Sequence, residues 1–258
     1  MRLQWLLAML LAAALIVAGC GGGDGGSSDA SKPALTVSAA ASLKKAFTAY
    51  GKELEDAEAK FSFAGSDELA AQIQQGVKPD VFAAANTKLP DQLYDKGLVE
   101  KPTVFAGIRL VLAVPADRST VSSLEDIEKD GVAVAVGSKS VPIGSYTRTV
   151  LDKLPASRRR ADLANVRSEE PNVAGIVGKL TQGAVDAGFV YISDVRGTSG
   201  KLRAIELPDD LQPSVAYGAA VVKGAKQPEQ AKAFIDGLVS GPGQEALKEA
   251  GLEPPPSG

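Results

Sequence analysis

Two serines, Ser42 and Ser66, each lie near the predicted start of a helix. Ser42 follows an apolar run at 35–41 and Ser66 follows a strand-like run at 60–64, and apolar residues recur at helical spacing after each serine. A helix start offers unpaired backbone N–H groups and a positive dipole end, so a hydroxyl there adds a donor for an anion. Serine is also an ordinary helix N-cap, which is the structural alternative and the position predicted for Ser42.

Two later turns carry a proline at the predicted start of a helix. Pro142 directly precedes Ile143, and Pro171 lies two positions before Val173. Proline suits the first helical turn because the N–H that it lacks would have no partner there. The backbone N–H groups of Ile143 and Val173 are therefore predicted to be free donors. Four such turns around one cleft would form a cage of neutral donors for an anion, whereas four unrelated helix caps are the alternative.

The composition argues against several other kinds of site. The chain contains no histidine and a single cysteine, Cys20, which removes most transition-metal ligand sets and the common Ser–His and Cys–His nucleophile pairs. The net charge is −3 and no basic run is longer than 158–160, so a nucleic-acid partner is not expected. A secreted acyl-transfer enzyme, with Ser42 or Ser66 as nucleophile and a lysine as base, is the alternative from the enzyme class.

The amino terminus has the features of an export signal. Arg2 is followed by an apolar run at 6–17 that is too short for a comfortable membrane span, and small residues then lead to Cys20. This arrangement resembles the lipobox of bacterial lipoproteins, which implies cleavage before Cys20 and lipidation of its thiol. We predict a signal peptide at 1–19, a lipid-anchored cysteine with a flexible glycine- and serine-rich tether at 20–33, and a protein held on the outer face of the cell membrane.

The rest of the chain alternates strand-like runs with helical patterns, which indicates an α/β protein. Two long apolar strands at 109–115 and 214–223 are predicted to cross between two lobes. Two separate crossings make a hinge. The predicted domains are a first lobe at 34–113 and 217–258, and a second lobe at 114–216.

Several motifs in a fixed order resemble the periplasmic molybdate-binding proteins of ABC importers. The motifs are Ala39-Ala40-Ala41-Ser42-Leu43, Phe63-Ala64-Gly65-Ser66, Pro79-Asp80-Val81-Phe82-Ala83, Val141-Pro142-Ile143-Gly144 and Gly188-Phe189-Val190-Tyr191 with Asp194. The resemblance implies the type II periplasmic-binding fold, with two α/β lobes joined by a two-strand hinge. It also implies a monomeric binding protein without enzymatic activity or cofactor, which captures molybdate, and also tungstate, for an ABC permease in the membrane.

The resemblance also implies which residues hold the oxyanion. The hydroxyl donors fall on Ser42, Ser66 and Tyr191, and the backbone donors fall on Ile143 and Val173. These groups bind the ion without a counter-charge, and no site for a bare metal cation is expected. Another tetrahedral oxyanion, sulfate or phosphate, is the alternative ligand for such a cage.

The chain departs from the family pattern at two of its positions. Ile143 replaces a residue that is usually small, although a backbone donor survives a change of side chain. Asp67 replaces a residue that is commonly neutral, and its carboxylate follows Ser66 in the first turn of the predicted helix. The repulsion between a carboxylate and a bound dianion would exceed the stabilisation that the carboxylate gains from the helix dipole. We therefore expect Asp67 to point out of the cleft into water, and Lys139 and Arg148 to be charges at the cleft rim.

Overall fold

The computed structural model describes residues 32–256. The predicted signal peptide and the predicted lipidation at Cys20 lie outside the described residues. The strands are β1 (Ala34–Ala40), β2 (Glu58–Ala64), β3 (Val81–Ala84), β4 (Thr103–Gly107), β5 (Leu110–Pro115), β6 (Val134–Gly137), β7 (Val166–Glu170), β8 (Ala187–Tyr191), β9 (Leu202–Glu206) and β10 (Ala216–Val221). The helices are α1 (Lys44–Tyr50), α2 (Ser66–Gln74), α3 (Lys88–Asp95), α4 (Pro142–Asp152), α5 (Ala156–Ala164), α6 (Val173–Gln182), α7 (Ile192–Arg196), α8 (Pro228–Val239) and α9 (Pro242–Ala250).

The first lobe is built on a sheet with the strand order β2-β1-β3-β10-β4. β1 pairs in parallel with β2 and β3, and β10 runs antiparallel to β3 and β4. Every residue of β3 is buried, as expected for a parallel strand with both faces covered. Phe47 of α1 packs against Phe105 of β4 and Phe234 of α8, with ring centroids 6.1 and 5.3 Å apart.

The second lobe is built on a sheet with the strand order β7-β6-β8-β5-β9. β6 pairs in parallel with β7 and β8, and β5 runs antiparallel to β8 and β9. All residues of β5 and β8 are buried. The predicted fold class, two α/β lobes, is confirmed. None of the helices between residues 32 and 256 combines the length and the hydropathy that a membrane span requires.

The chain crosses between the sheets twice, at 108–109 and at 207–215. The two crossings bind each other: Ile108 N donates to Val215 O at 3.3 Å, and the Gln212 side chain exchanges hydrogen bonds of 3.2 and 2.9 Å with the backbone of Leu110. The predicted boundary between 113 and 114 falls inside β5, and the whole of β5 belongs to the second sheet. Because β5 is apolar throughout, its hydropathy contains no break that marks the crossing.

Some local predictions differ from the structure. The sequence also predicts a helix at 122–129, whereas the structure forms a 3₁₀ turn, Leu124–Glu128, which begins with a capping box between Ser123 and Asp126. The sequence patterns did not predict β4 or the short α7, and they gave no bounds for α5, which contains the arginine run at 158–160. These elements are short or lack a clear apolar period, which is the signal on which such predictions depend.

Candidate oxyanion site

The five predicted site residues surround one small cavity between the two lobes. Its volume is about 20 Å³. Ser42 and Ser66 reach it from the first lobe, and Ile143, Val173 and Tyr191 reach it from the second. The other lining residues are Ala40, Ala41, Ala64, Gly65, Ala85, Val141, Pro142 and Asn172.

Ser42 lies in a 3₁₀ turn, Ala41–Leu43, that joins β1 to α1. The N-cap predicted for Ser42 is wrong, because Leu43 holds the cap position of α1 and no side chain caps it. The Ser42 hydroxyl instead lies 2.9 Å from the Tyr217 hydroxyl on β10. Both residues are buried, at 6% and 0% exposed. When Tyr217 donates to Ser42, the Ser42 hydrogen is free to point into the cavity.

Ser66 is the first residue of α2, and Gly65 precedes it as the N-cap. The Ser66 Oγ accepts a hydrogen bond from the backbone N–H of Ala85 at 3.1 Å. This contact fixes the side chain at the carboxyl end of β3 and occupies one lone pair. The Ser66 hydrogen remains available to an acceptor in the cavity.

The second lobe contributes the starts of two helices. Ile143 is the second residue of α4 and Val173 the first residue of α6, so their backbone N–H groups have no partner within the helix. Asn172 caps α6, and its Oδ1 accepts from Gly175 N at 3.2 Å. Gly144 lets α4 begin against β6, because a Cβ there would lie 1.9 Å from the Ser138 carbonyl oxygen.

Tyr191 closes the cavity at the carboxyl end of β8. The residue is 1% exposed, and its hydroxyl has no hydrogen-bond partner among the described residues. Its ring meets that of Tyr217 edge to face, with centroids 5.9 Å apart. Burial is the main cause that raises the pKa of both tyrosines well above the ordinary value, and electrostatic repulsion from nearby groups, which include Asp194, adds to the shift. Both phenols are therefore protonated and able to donate.

None of the described residues that line the cavity carries a charge. Arg148, expected at the rim, donates to the carbonyl oxygens of Gly137 and Gly144 at 3.1 and 3.2 Å and pairs with Glu169 at 3.1 Å. Behind Tyr191, Asp194 accepts from the Tyr191 backbone N–H at 3.0 Å. Desolvation raises the pKa of Asp194 to about 7, although that hydrogen bond opposes the shift.

Asp67 does not line the cavity, but its side chain does not point freely into water, so that part of the expectation is wrong. The residue is half-buried, and its Oδ1 is buried without a hydrogen-bond partner among the described residues. Its Oδ2 accepts from the hydroxyl of Ser140, in the other lobe, at 3.3 Å. The close approach of the lobes at Gly65 and Pro171 turns this side of α2 into a contact surface.

The family profile described as bacterial extracellular solute-binding protein matches residues 35–253. The chain belongs to this family. The solute-binding protein is 34% identical over 242 residues to the molybdate-binding protein ModA of Mycobacterium tuberculosis H37Rv, and the alignment covers 88% of this chain and 90% of that protein. It is 31% identical over 229 residues to YvgL of Bacillus subtilis, described as a putative ABC transporter substrate-binding lipoprotein, with 84% of each chain covered.

The fold of the solute-binding protein is also that of a solved relative. The periplasmic molybdate-binding protein of Azotobacter vinelandii superposes with a TM-score of 0.76 at 21% identity, over 86% of this chain and 99% of that one. The resemblance predicted from the ordered motifs is therefore confirmed, together with the two-lobed architecture.

Three residues that shape the site of this solute-binding protein were missed by the sequence reading. Tyr217 orients Ser42, the backbone of Ala85 orients Ser66, and Asn172 caps the helix that presents Val173. Asn172 carried a usable signal, since asparagine before an apolar helical run is a strong N-cap. The other two carried none, because their partners come from distant parts of the chain.

Proposed function

We propose that this protein captures molybdate outside the cytoplasm and delivers it to an ABC permease, with Ser42, Ser66, Ile143, Val173 and Tyr191 as the ligands of the ion. The observation that carries the proposal is the uncharged cavity into which these donors converge from both lobes. The buried hydroxyl of Tyr191, which has no hydrogen-bond partner among the described residues, supports it most directly, because a buried hydroxyl without a partner is costly.

A cage of this kind suits an anion that must later be released. Removing a dianion from water is costly, and charge-assisted hydrogen bonds from fixed donors offset that cost without a lysine or arginine. Since each lobe supplies part of the cage, the ion stabilises the closed arrangement and the site divides when the lobes separate. Neutral donors hold the ion less strongly than fixed positive charges, which favours transfer to a permease.

The relatives support the finer parts of the proposal. The name of the M. tuberculosis protein supports molybdate as the ligand, and tungstate has the same charge and nearly the same size. The description of the B. subtilis protein as a lipoprotein agrees with our proposal of a lipid anchor at Cys20. We further propose that the protein acts as a monomer on the outer face of the cell membrane.

The acyl-transfer alternative finds no support in the geometry around the serines. Ser42 and Lys45 have the Ser-x-x-Lys spacing of some acyl-transfer enzymes. Lys45 is exposed, however, and the hydrogen-bond partner of Ser42 is Tyr217. The partner of Ser66 is a backbone N–H, which cannot act as a base.

Calorimetric titration with molybdate, tungstate, sulfate and phosphate tests the proposal. Molybdate and tungstate should bind one ion per chain and raise the melting temperature, because a ligand that binds only the folded state stabilises it by mass action. Sulfate should bind weakly, since its shorter bonds leave its oxygens beyond hydrogen-bond reach in a cage shaped for a larger ion. Equal affinity for sulfate and molybdate would contradict the proposed selectivity.

A further inference from the structure

The carboxylate of Asp67 lies between the lobes beside the candidate oxyanion site and is poorly compensated there. Its Oδ1 and the Pro171 carbonyl oxygen lie 2.9 and 2.8 Å from the point where a side chain at Gly65 would begin. Both acceptor oxygens thus border the space beside Gly65, and no described residue donates to Asp67 Oδ1. The remaining contact, from the Ser140 hydroxyl to Oδ2, is 3.3 Å long, which is weak for a hydroxyl donor.

Among the described residues, Asp67 takes part in no ion pair. Arg148 is paired with Glu169. Asp67 does not line the cavity, but its neighbours Gly65 and Ser66 do. The negative charge therefore acts on a bound anion through space, and most strongly when the lobes have closed and excluded water.

We infer that Asp67 is a positioning residue that weakens retention of a dianion by opposing closure of the lobes over it. The inference rests on the proposed function, since the carboxylate would not repel an uncharged ligand. In the closed arrangement Asp67 Oδ1 is buried without a donor among the described residues, so closing is opposed even before the ion is counted. With a dianion in the cage, the repulsion adds to that opposition and shortens the lifetime of the closed complex.

The test compares Asp67→Asn with Glu68→Gln by calorimetry and by the release of labelled molybdate into an excess of unlabelled molybdate. Glu68 is the matched control, because it is exposed and lies in the same helical turn, and both variants change the net charge equally. At about 0.01 M salt, Asp67→Asn should tighten binding by about tenfold or more, mainly through slower release, whereas Glu68→Gln should stay within about threefold. The difference should shrink only in part at about 1 M salt, because salt screens partly buried charges much less than exposed ones.

The outcomes separate this inference from the proposed function. If Asp67→Asn has the same molybdate affinity as Glu68→Gln, the inference alone is overturned. If Asp67→Asn binds molybdate more weakly than the wild type, the inference is also overturned, because the Asp67–Ser140 contact would then favour closure. A tightening by Asp67→Asn that Asp67→Ser does not reproduce would also overturn it, because a packing change rather than the loss of the charge would then be responsible. A wild-type protein that binds no molybdate overturns the proposed function and the inference with it. Asp67→Ser, which also removes the charge, should tighten binding as Asp67→Asn does.

Discussion

Each hydroxyl at the cavity is placed so that its hydrogen can serve an anion. The protein occupies the acceptor side of Ser66 with the Ala85 N–H and holds Ser42 with the Tyr217 hydroxyl. Tyr191 has no partner in the described part of the chain. A hydroxyl has one hydrogen and two lone pairs, so a contact that uses a lone pair leaves the hydrogen for the ligand. Three hydrogens can therefore point at one ion without any formal positive charge.

Removing these hydroxyls should weaken molybdate binding without unfolding the protein. Ser42→Ala, Ser66→Ala and Tyr191→Phe should each cost about 1.5–3 kcal/mol of binding free energy, which is the usual value of a hydrogen bond to a charged group. Calorimetric titration measures the change. Ile143→Ala is the control, because its proposed donor is the backbone N–H, and it should cost much less. A larger loss for Ile143→Ala than for Ser42→Ala would contradict these roles.

At the scale of elements, the site depends on how closely α4 approaches the end of β6. A methyl group at Gly144 would lie 1.9 Å from the Ser138 carbonyl oxygen and 2.4 Å from that of Gly137. These are backbone atoms of the loop, so the helix start must move. The Ile143 N–H would move with it, and a donor shifted away from the ion no longer forms a good hydrogen bond.

Gly144→Ala should therefore reduce both stability and binding. We expect a loss of about 1–3 kcal/mol in the free energy of unfolding, as for other overpacked sites, and molybdate binding weakened by about tenfold or more. Gly178→Ala in α6 is the matched control, because nothing lies within 4 Å of the added methyl group. That variant should be neutral or more stable, since alanine favours a helix. Denaturant unfolding and calorimetry measure the two effects, and equal behaviour of the two variants would contradict the packing explanation.

How much of the site could be predicted from the sequence depends on whether the contacts that position each residue are local. Helix starts are local patterns, so the positions of Ser66, Ile143 and Val173 could be predicted from the sequence, whereas Tyr191 is assigned to the site only through the family resemblance. The orientation of Ser42 could not be predicted, because its partner Tyr217 lies 175 residues away in the chain. The setting of Asp67 likewise depends on the opposite lobe, which no local pattern describes.

At the scale of the whole molecule, one buried carboxylate makes stability depend on pH. Asp162 of α5 is 1% exposed, and neither carboxylate oxygen has a partner among the described residues. Burial first, then the nearby charge of Glu128, raises the pKa of Asp162 to about 6 from an ordinary 3.8. The folded state therefore holds this proton more tightly than the unfolded state does, and stability is lost as the pH rises from about 4 through about 6.

Asp162→Asn should remove this loss. At pH 8 the variant should have a free energy of unfolding roughly 1–3 kcal/mol above the wild type, and near pH 4 the two should be similar. Denaturant unfolding across this pH range measures the difference. Asp130→Asn is the control, because Asp130 is exposed, and its effect should be small at every pH. A variant less stable than the wild type at pH 8 would contradict the prediction.

The strand order has a consequence for how the chain acquires its shape. All five strands of the second sheet come from one continuous stretch, 110–206, whereas the first sheet needs β10, which follows that stretch, between β3 and β4. Contacts between distant parts of a chain form slowly, because a long loop must close before they are made. The second lobe can therefore fold while the amino-terminal strands still wait for a central strand. When such a chain emerges from a membrane pore amino terminus first, the strands of the first sheet emerge early but remain unpaired with β10 for longest. During that time the unpaired edge of β3 is exposed, and it is the part of the chain most prone to aggregation.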